Sequence, residues 1–208
     1  MLDFGSLFYL STYGPPRFLH VAPREQVLNS FEITRGEHRP EKPIVFDYMN
    51  GISGDVVGDF IGTALVDPML ISERVVRILA SFRGWTTCPV EVYGKGNVPI
   101  VGYSGLIVTG RCGEIDNSRS QVRVFPPKTP LAKPYRAWVG LYFDERSWDG
   151  SDLFVPPGMT RIFMVQAVKD ALEAASVTNV RFVKLAEFER TATEMGIPVG
   201  EAGGPRGG

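Results

Sequence analysis

The sequence predicts an α+β fold in which two strand–helix–strand units place their helices on mixed or antiparallel sheets. Three observations lead there. The first is the stretch from Trp148 to Leu185, which reads as one complete packing unit. Pro156-Pro157-Gly158 marks a turn, Arg161–Met164 is an apolar strand, and Val165, Val168, Leu172 and Ala175 recur at near-helical spacing. Lys169, Asp170 and Glu173 fall on the wet face, Ser176–Asn179 stops the helix, and Val180–Val183 alternates as a strand. The second is an earlier segment of the same plan. Met69-Leu70-Ile71 is extended, Ser72 is a helix N-cap, and Val75, Ile78, Leu79 and Phe82 occupy i, i+3, i+4 and i+7. Arg83-Gly84 ends that helix, because glycine takes the left-handed cap conformation, and Cys88–Tyr93 follows as a strand. The third is the offset: a shift of 93 positions carries Val75 onto Val168 and Leu79 onto Leu172.

The other elements follow in chain order. Phe4–Thr12 and Arg17–Val21, parted by Tyr13-Gly14-Pro15-Pro16, read as two strands and a turn, a hairpin in the simplest case. Residues 22 to 43 are polar and charged and read as a solvated loop. Ile44-Val45-Phe46 is a short buried strand, followed by the glycine-punctuated Asn50–Gly54. Tyr103–Thr109 is a strand, Gly110–Gly113 a turn, and Glu114–Phe125 extended. Prolines 126, 127, 130 and 134 exclude helix and central strand and make residues 126–135 a stiff connector. The predicted organisation is one globular domain over 1–195, divisible into lobes 1–125 and 136–195 about that connector. Ala137–Phe143 is a strand, Leu185–Met195 a short final helix anchored by Phe188, and 196–208 a flexible tail without apolar content.

A chain of 208 residues is long enough to bury a real core, and 44% hydrophobic with 22% charged residues is ordinary for a globular protein. A formal charge of −1 supplies no basic excess to neutralise phosphates, which argues against nucleic acid as a partner. The N-terminus carries Asp3 and no basic region ahead of its apolar run, a poor signal peptide, and no run approaches the length of a membrane span. Cytoplasmic residence without membrane contact is the expectation. Cys88 and Cys112 form neither a CxxC pair nor a disulfide framework and read as reduced thiols.

Chemistry is sparsely encoded. His20 and His38 are the only histidines, and neither stands at a spacing that makes a triad or a zinc site. Asn50–Gly54 and Tyr93–Gly96 lack the spacing of a phosphate loop. Asp144, Glu145, Asp149 and Asp152 lie close together and read as an acidic rim or, in the enzymatic alternative, as the carboxylates of a hydrolase centred on Asp149. No catalytic, metal-binding or cofactor residue is assigned, and no cofactor is expected.

Charge segregation says more. Between Pro43 and Ser72 there is no Lys or Arg, while Asp47, Asp55, Asp59 and Asp67 are present. Between Asn117 and Phe143 there is no Asp or Glu, while Arg119, Arg123, Lys128, Lys133 and Arg136 are present. Either these stretches are solvated loops that pair with each other, or they form a docking face on which charge steers a protein partner. On the second reading the contact residues are Asp47, Asp55, Asp59 and Asp67, with Tyr48, Phe60, Trp148 and Asp149. Trp85, Tyr135 and Trp138 are further aromatics that serve either as anchors or as core.

Two blocks carry a family resemblance. One runs from Asp59-Phe60 to Val92 through the helix after Leu70-Ile71-Ser72. The other joins Leu153-Phe154 to Val165–Leu185, with Lys169–Ala175 and Thr178–Val183. Together they resemble a large bacterial family, first described as a domain of unknown function, whose members are immunity proteins of polymorphic toxin systems and which has relatives among myxobacterial immunity proteins. Those relatives carry paired CxxC motifs; this chain has none, so their metal chemistry does not carry over. The resemblance implies a non-catalytic cytoplasmic antidote that binds a cognate toxin domain and acts as a monomer or weak homodimer. A structural or scaffold component of a larger assembly is the remaining alternative.

Overall fold

The structure, a computed structural model, describes residues 3–12, 17–63, 68–126 and 135–191. The described part of the chain begins with β1 (Leu7–Ser11), β2 (Val21–Pro23), α1 (Ser30–Thr34) and β3 (Ile44–Tyr48). A first unit follows: β4 (Phe60–Ile61), β5 (Leu70–Ser72), α2 (Glu73–Leu79) and β6 (Trp85–Cys88). Then come β7 (Val90–Tyr93), β8 (Pro99–Ile100), β9 (Tyr103–Val108), β10 (Gly110–Arg111), β11 (Gln121–Phe125) and β12 (Tyr135–Val139). A second unit closes the fold: β13 (Leu153–Val155), β14 (Ile162–Val165), α3 (Gln166–Ala174) and β15 (Arg181–Lys184), with β16 (Glu189–Thr191) last.

This inventory corrects the expected α+β class. Among the described residues sixteen strands form four sheets, and the three α-helices have only five, seven and nine residues. The protein is mostly β. Helices this short do not hold themselves in water and form where tertiary packing supports them. Their clean periodicity gave them more weight than their size. The strands are mostly two to five residues long, too short for alternation to stand out, yet nearly every segment between the helices pairs.

The two units share one pairing scheme. In the first, β4 and β5 form an antiparallel hairpin, β9 lies beside β5, and β6 lies on the far side of β9. In the second, β13 and β14 form the hairpin, β1 lies beside β14, and β15 lies beyond β1. The registers match at an offset of 93: Phe60 faces Ile71 and Leu153 faces Met164, while Ile61 faces Leu70 and Phe154 faces Phe163. The strand beside the hairpin differs in origin. β9 comes from the same stretch of chain as the first hairpin, whereas β1 crosses from the N-terminus to complete the second. For this reason the hairpin expected between residues 4–12 and 17–21 does not form. β1 pairs with β14 and β15, and Val21 instead faces Tyr48 of β3.

Both units drain into one core. Phe60, Ile71, Val75, Leu79 and Leu106 pack with Leu153, Met164, Val168, Leu172 and Leu10, all but excluded from solvent. Burying side chains of this size is worth about 1.5–3 kcal/mol each. The sheet β2-β3-β7-β8 closes a second core around Phe46, Ile61, Leu70 and Ile107. Phe4, Phe143, Phe154 and Phe163 anchor a third, with edge-to-face ring contacts between Phe143 and Phe154 and between Phe154 and Phe163.

Local chemistry accounts for the boundaries. The Ser72 hydroxyl accepts the Val75 N–H and starts α2, and the Trp85 indole N–H donates to the Leu79 and Phe82 carbonyls at its other end. On the wet face of α3, Lys169 reaches Glu173 at 2.6 Å and Gln166 reaches Asp170 at 2.6 Å. Cys88–Tyr93 is two strands, β6 and β7, in different sheets, because Pro89 between them cannot donate to a ladder. Two further expectations are corrected. The described part of the helix expected over Leu185–Met195 is not helical: Leu185–Glu187 is a single 3₁₀ turn and Glu189–Thr191 pairs with β12 as β16, while 192–195 lie outside the described residues. Residues 22–43 are only partly a solvated loop: α1 lies within them, and Ser30, Ile33 and Thr34 of the helix and Arg35 just after it are buried. The Arg35 guanidinium donates to the Pro156 and Met159 carbonyls at 2.6 and 2.8 Å, tying this segment to the second unit. Strand pairs β10–β13 and β11–β12 also cross the proposed lobe boundary. Connector residues 127–134 and the tail 196–208 lie outside the described residues.

Candidate functional site

Of the eight contact residues expected from the sequence, Asp55, Asp59, Trp148 and Asp149 lie in the two loops that lead into the two hairpins, and Asp47, Tyr48 and Phe60 lie in the strands that flank the first of them. The first loop, residues 49–59, follows β3; the second, 140–152, follows β12. The two loops treat their side chains in opposite ways.

Asp59, at the end of the first loop, is an internal fastener. Its side chain is 12% exposed, takes the Ser72 hydroxyl at 3.0 Å and Arg74 at 3.2 Å, and accepts both the Thr178 N–H and the Thr178 hydroxyl. The Phe60 N–H donates to the Thr178 carbonyl, and the Asn179 amide returns a bond to the Phe60 carbonyl at 2.8 Å. Asp152 repeats the role in the second unit: its carboxylate accepts the Arg83 N–H at 2.7 Å, and the Asp152 and Leu153 N–H groups donate to the Arg83 carbonyl. Each unit thus holds the turn that follows the other unit's helix. Both crossings are tight enough to need glycine. A Cβ on Gly84, at φ 90°, would lie 2.5 Å from the Ser151 side chain, and one on Gly58 would lie 2.7 Å from that of Asn179. Asn179 itself holds the left-handed conformation at φ 58°. Phe60 is fully buried. Neither Asp59 nor Phe60 is a surface contact.

Asp47 and Tyr48 end β3 beside the first loop. Asp47 forms a two-point pair with Arg24, both contacts at 2.8 Å, and the hydrogen bond from Arg24 holds its carboxyl below the usual carboxylate range. The Tyr48 hydroxyl donates to the Ser53 carbonyl. Asp55 is exposed. The same loop carries three apolar side chains that charge patterning did not single out, Ile52, Val56 and Val57, exposed by 59%, 47% and 45%. A signal for them was present: three aliphatic residues in a glycine-punctuated stretch with no period of either helix or strand.

The loop that carries them is tethered at many points. Ser53 N–H donates to Met49, Gly54 N–H to Phe18, and Val56 N–H to Arg17, while Leu19 N–H donates back to Val56. The Ser53 hydroxyl accepts the His20 N–H at 2.8 Å. Asp67 lies outside the described residues.

The second loop turns inward. Leu141 and Phe143 are fully buried, and Trp148 tilts against Phe154 while its indole N–H donates to the Ser151 carbonyl at 3.1 Å. Asp149 organises the backbone by accepting the Arg111 and Ser151 N–H groups at 2.8 and 2.9 Å. Burial pushes its carboxyl up, but the Ser151 and Arg111 donors outweigh it and leave the pKa lowered. It therefore stands ionised as a turn-holding acceptor. Of the other aromatics, Trp85 closes α2, Tyr135 stacks on Phe125 and Trp138 lies half-buried in β12.

Several of the segregated charges among the described residues take local partners. Asp47 pairs with Arg24 and Asp59 with Arg74, while Arg119 lies over the rings of Phe4 and Tyr142. Two surface hollows of about 580 and 600 Å³ are lined by residues 24–45 around His38 and by Gly113–Arg119 with Asp144 and Ser147. Among the described residues no group of three or more His, Cys, Asp or Glu is placed to hold a metal ion. Both thiols are buried, which pushes Cys88 to about 11 and Cys112 to about 12. No helix of the described residues is long and apolar enough to cross a membrane. The sequence matches no protein-family model and no curated protein.

Proposed function

We propose that this protein works by binding another protein, and that its partner is a toxin domain which it neutralises in the cytoplasm without catalysis. The observation that carries the reading is the first loop. Ile52, Val56 and Val57 stand in water on the loop that carries the exposed Asp55, and the loop's backbone is fixed by six hydrogen bonds. Exposed aliphatic side chains lose free energy to water, and three of them held on one ordered loop mark a surface suited to burial against a partner. A loop already held in one conformation loses little entropy when it docks, so more of the contact energy reaches the affinity. Aliphatic anchors on a loop with one exposed carboxylate suit a partner surface with an apolar pocket and a basic rim. The resemblance to immunity proteins supplies the class of partner. Tight neutralisation requires about 1,600 Å² of total buried surface, so the loop is the centre of a larger face.

The test is co-expression with the C-terminal module of a large secreted protein encoded beside this chain. Relief of that module's growth arrest, and a complex of the two on size exclusion, is the expected result. Asp55→Lys combined with Val56→Asp should abolish both while leaving the fold intact, because neither side chain is buried. Arrest that continues in the presence of well-folded protein would overturn the proposal.

A further inference from the structure

β11 stands at the edge of the sheet β11-β12-β16, with β12 on one side and no strand among the described residues on the other. An edge strand presents a row of unpaired backbone N–H and C=O groups, and folded proteins blunt such edges with short strands, prolines and charges. Three of the other edges among the described residues follow that rule. β2 has three residues and ends at Pro23, β8 has two and begins at Pro99, and β15 carries Arg181 and Lys184. β2 holds the place in β2-β3-β7 that β11 holds in its own sheet, and the chain beside β2 is also covered, by parallel bridges from Phe18 to Val56 and from His20 to Gly62. β11 has five residues, no proline and the single charge of Arg123, and it exposes Val122 by 55% and Val124 by 68%.

We infer that the open edge of β11 accepts an extended segment of another protein in which apolar residues alternate with carboxylates, added as a fourth strand. Side-chain alternation puts Val122 and Val124 on one face of the new strand pair, and Gln121 and Arg123 on the other. Apolar residues of the incoming segment lie against the valines. Its carboxylates meet Arg123, in a stretch from Asn117 to Phe143 that holds no Asp or Glu. A second copy of this chain is a poorer occupant, because pairing β11 with itself in a valine-on-valine register brings two Arg123 side chains together on one face. The backbone supplies affinity and the alternation supplies selectivity, as in other cases of strand addition. This edge is independent of the toxin reading and uses no residue of the first loop.

The experiment titrates the full chain, labelled with nitrogen-15, with synthetic peptides of alternating valine and glutamate or of alternating valine and lysine. The glutamate peptide should shift the backbone amides of residues 121–125 and bind at least about tenfold more tightly than the lysine peptide. Arg123→Glu should reverse that preference. Val124→Lys, at an exposed position that leaves the fold unchanged, should weaken the glutamate peptide further. Equal response to the two peptides, or shifts confined to other residues, would overturn the inference. Concentration-dependent dimerisation that protects 121–125 without any peptide would overturn it in favour of a second copy.

Discussion

The loops that enter the two hairpins hold equivalent positions and do opposite things. Residues 140–152 put Leu141 and Phe143 into the core, lean Trp148 on Phe154 and use Asp149 to fix two backbone N–H groups. Residues 49–59 are held as firmly, by backbone bonds to Arg17, Phe18 and Met49, yet they leave Ile52, Val56 and Val57 in water. Rigidity is common to both; what differs is whether the apolar side chains are spent inside. Exposed aliphatic residues on an ordered loop are the feature on which the proposed docking face rests.

That comparison can be broken or sharpened by substitution. The largest effects belong where the units match. Leu79→Ala and Leu172→Ala each open a cavity in the shared core and should cost about 2–5 kcal/mol, by equal amounts within about 1 kcal/mol. Urea denaturation measures both, and a cost several times larger for one would show that the units do not share a core equally. Gly84→Ala forces a Cβ to within 2.2 Å of the Leu153 carbonyl at a φ of 90°, and should cost about 1–3 kcal/mol or more by the same assay.

The reciprocal fasteners come next, and they are unequal. Asp59, with four donors and 12% exposure, should cost about 1–3 kcal/mol on replacement by Ala, and Asp152, 26% exposed, less than half of that. Equal costs would remove the distinction. The smallest effect concerns Asp47. Its folded pKa is lowered by Arg24, so the stability it adds is present above the unfolded carboxyl pKa and is lost as pH falls through the folded value. The pair is exposed, so Asp47→Asn should remove only a small slope in thermal stability below about pH 4. An unchanged acid limb in that variant would mean that the pair adds nothing.

The sequence shows what is local. Ser72 and the Val75–Leu79 and Val168–Leu172 faces sit within one turn of what they act on, and each has its expected place; Gly84 does not cap α2, which ends at Leu79 with Ala80 as its C-cap, but takes its positive φ where Ser151 and Leu153 cross it. The hairpin registers 93 residues apart were half visible through those helices. β1 was not, because its partners Ile162–Val165 and Arg181–Lys184 lie about 150 to 180 residues away and no local pattern encodes such a pairing. Arg35 was hidden for another reason: a buried arginine satisfied by backbone carbonyls has the composition of a solvated loop. Asp59 and Phe60 show the converse error. Charge and aromaticity suited a docking face, but Thr178 and Arg74 claimed the carboxylate and the core claimed the ring. At the candidate site the acidic run includes Asp55 of the loop proposed here to dock, while the exposed apolar residues Ile52, Val56 and Val57 went unnoticed beside their glycines.

Backbone hydrogen exchange of this chain, alone and in complex with the toxin module, tests the central claim most directly. The account predicts that added protection concentrates at residues 50–57 and leaves the reciprocal turns at 83–84 and 176–179 unchanged. Protection centred on residues 140–152, with 50–57 exchanging as freely in the complex as in the free protein, would contradict it.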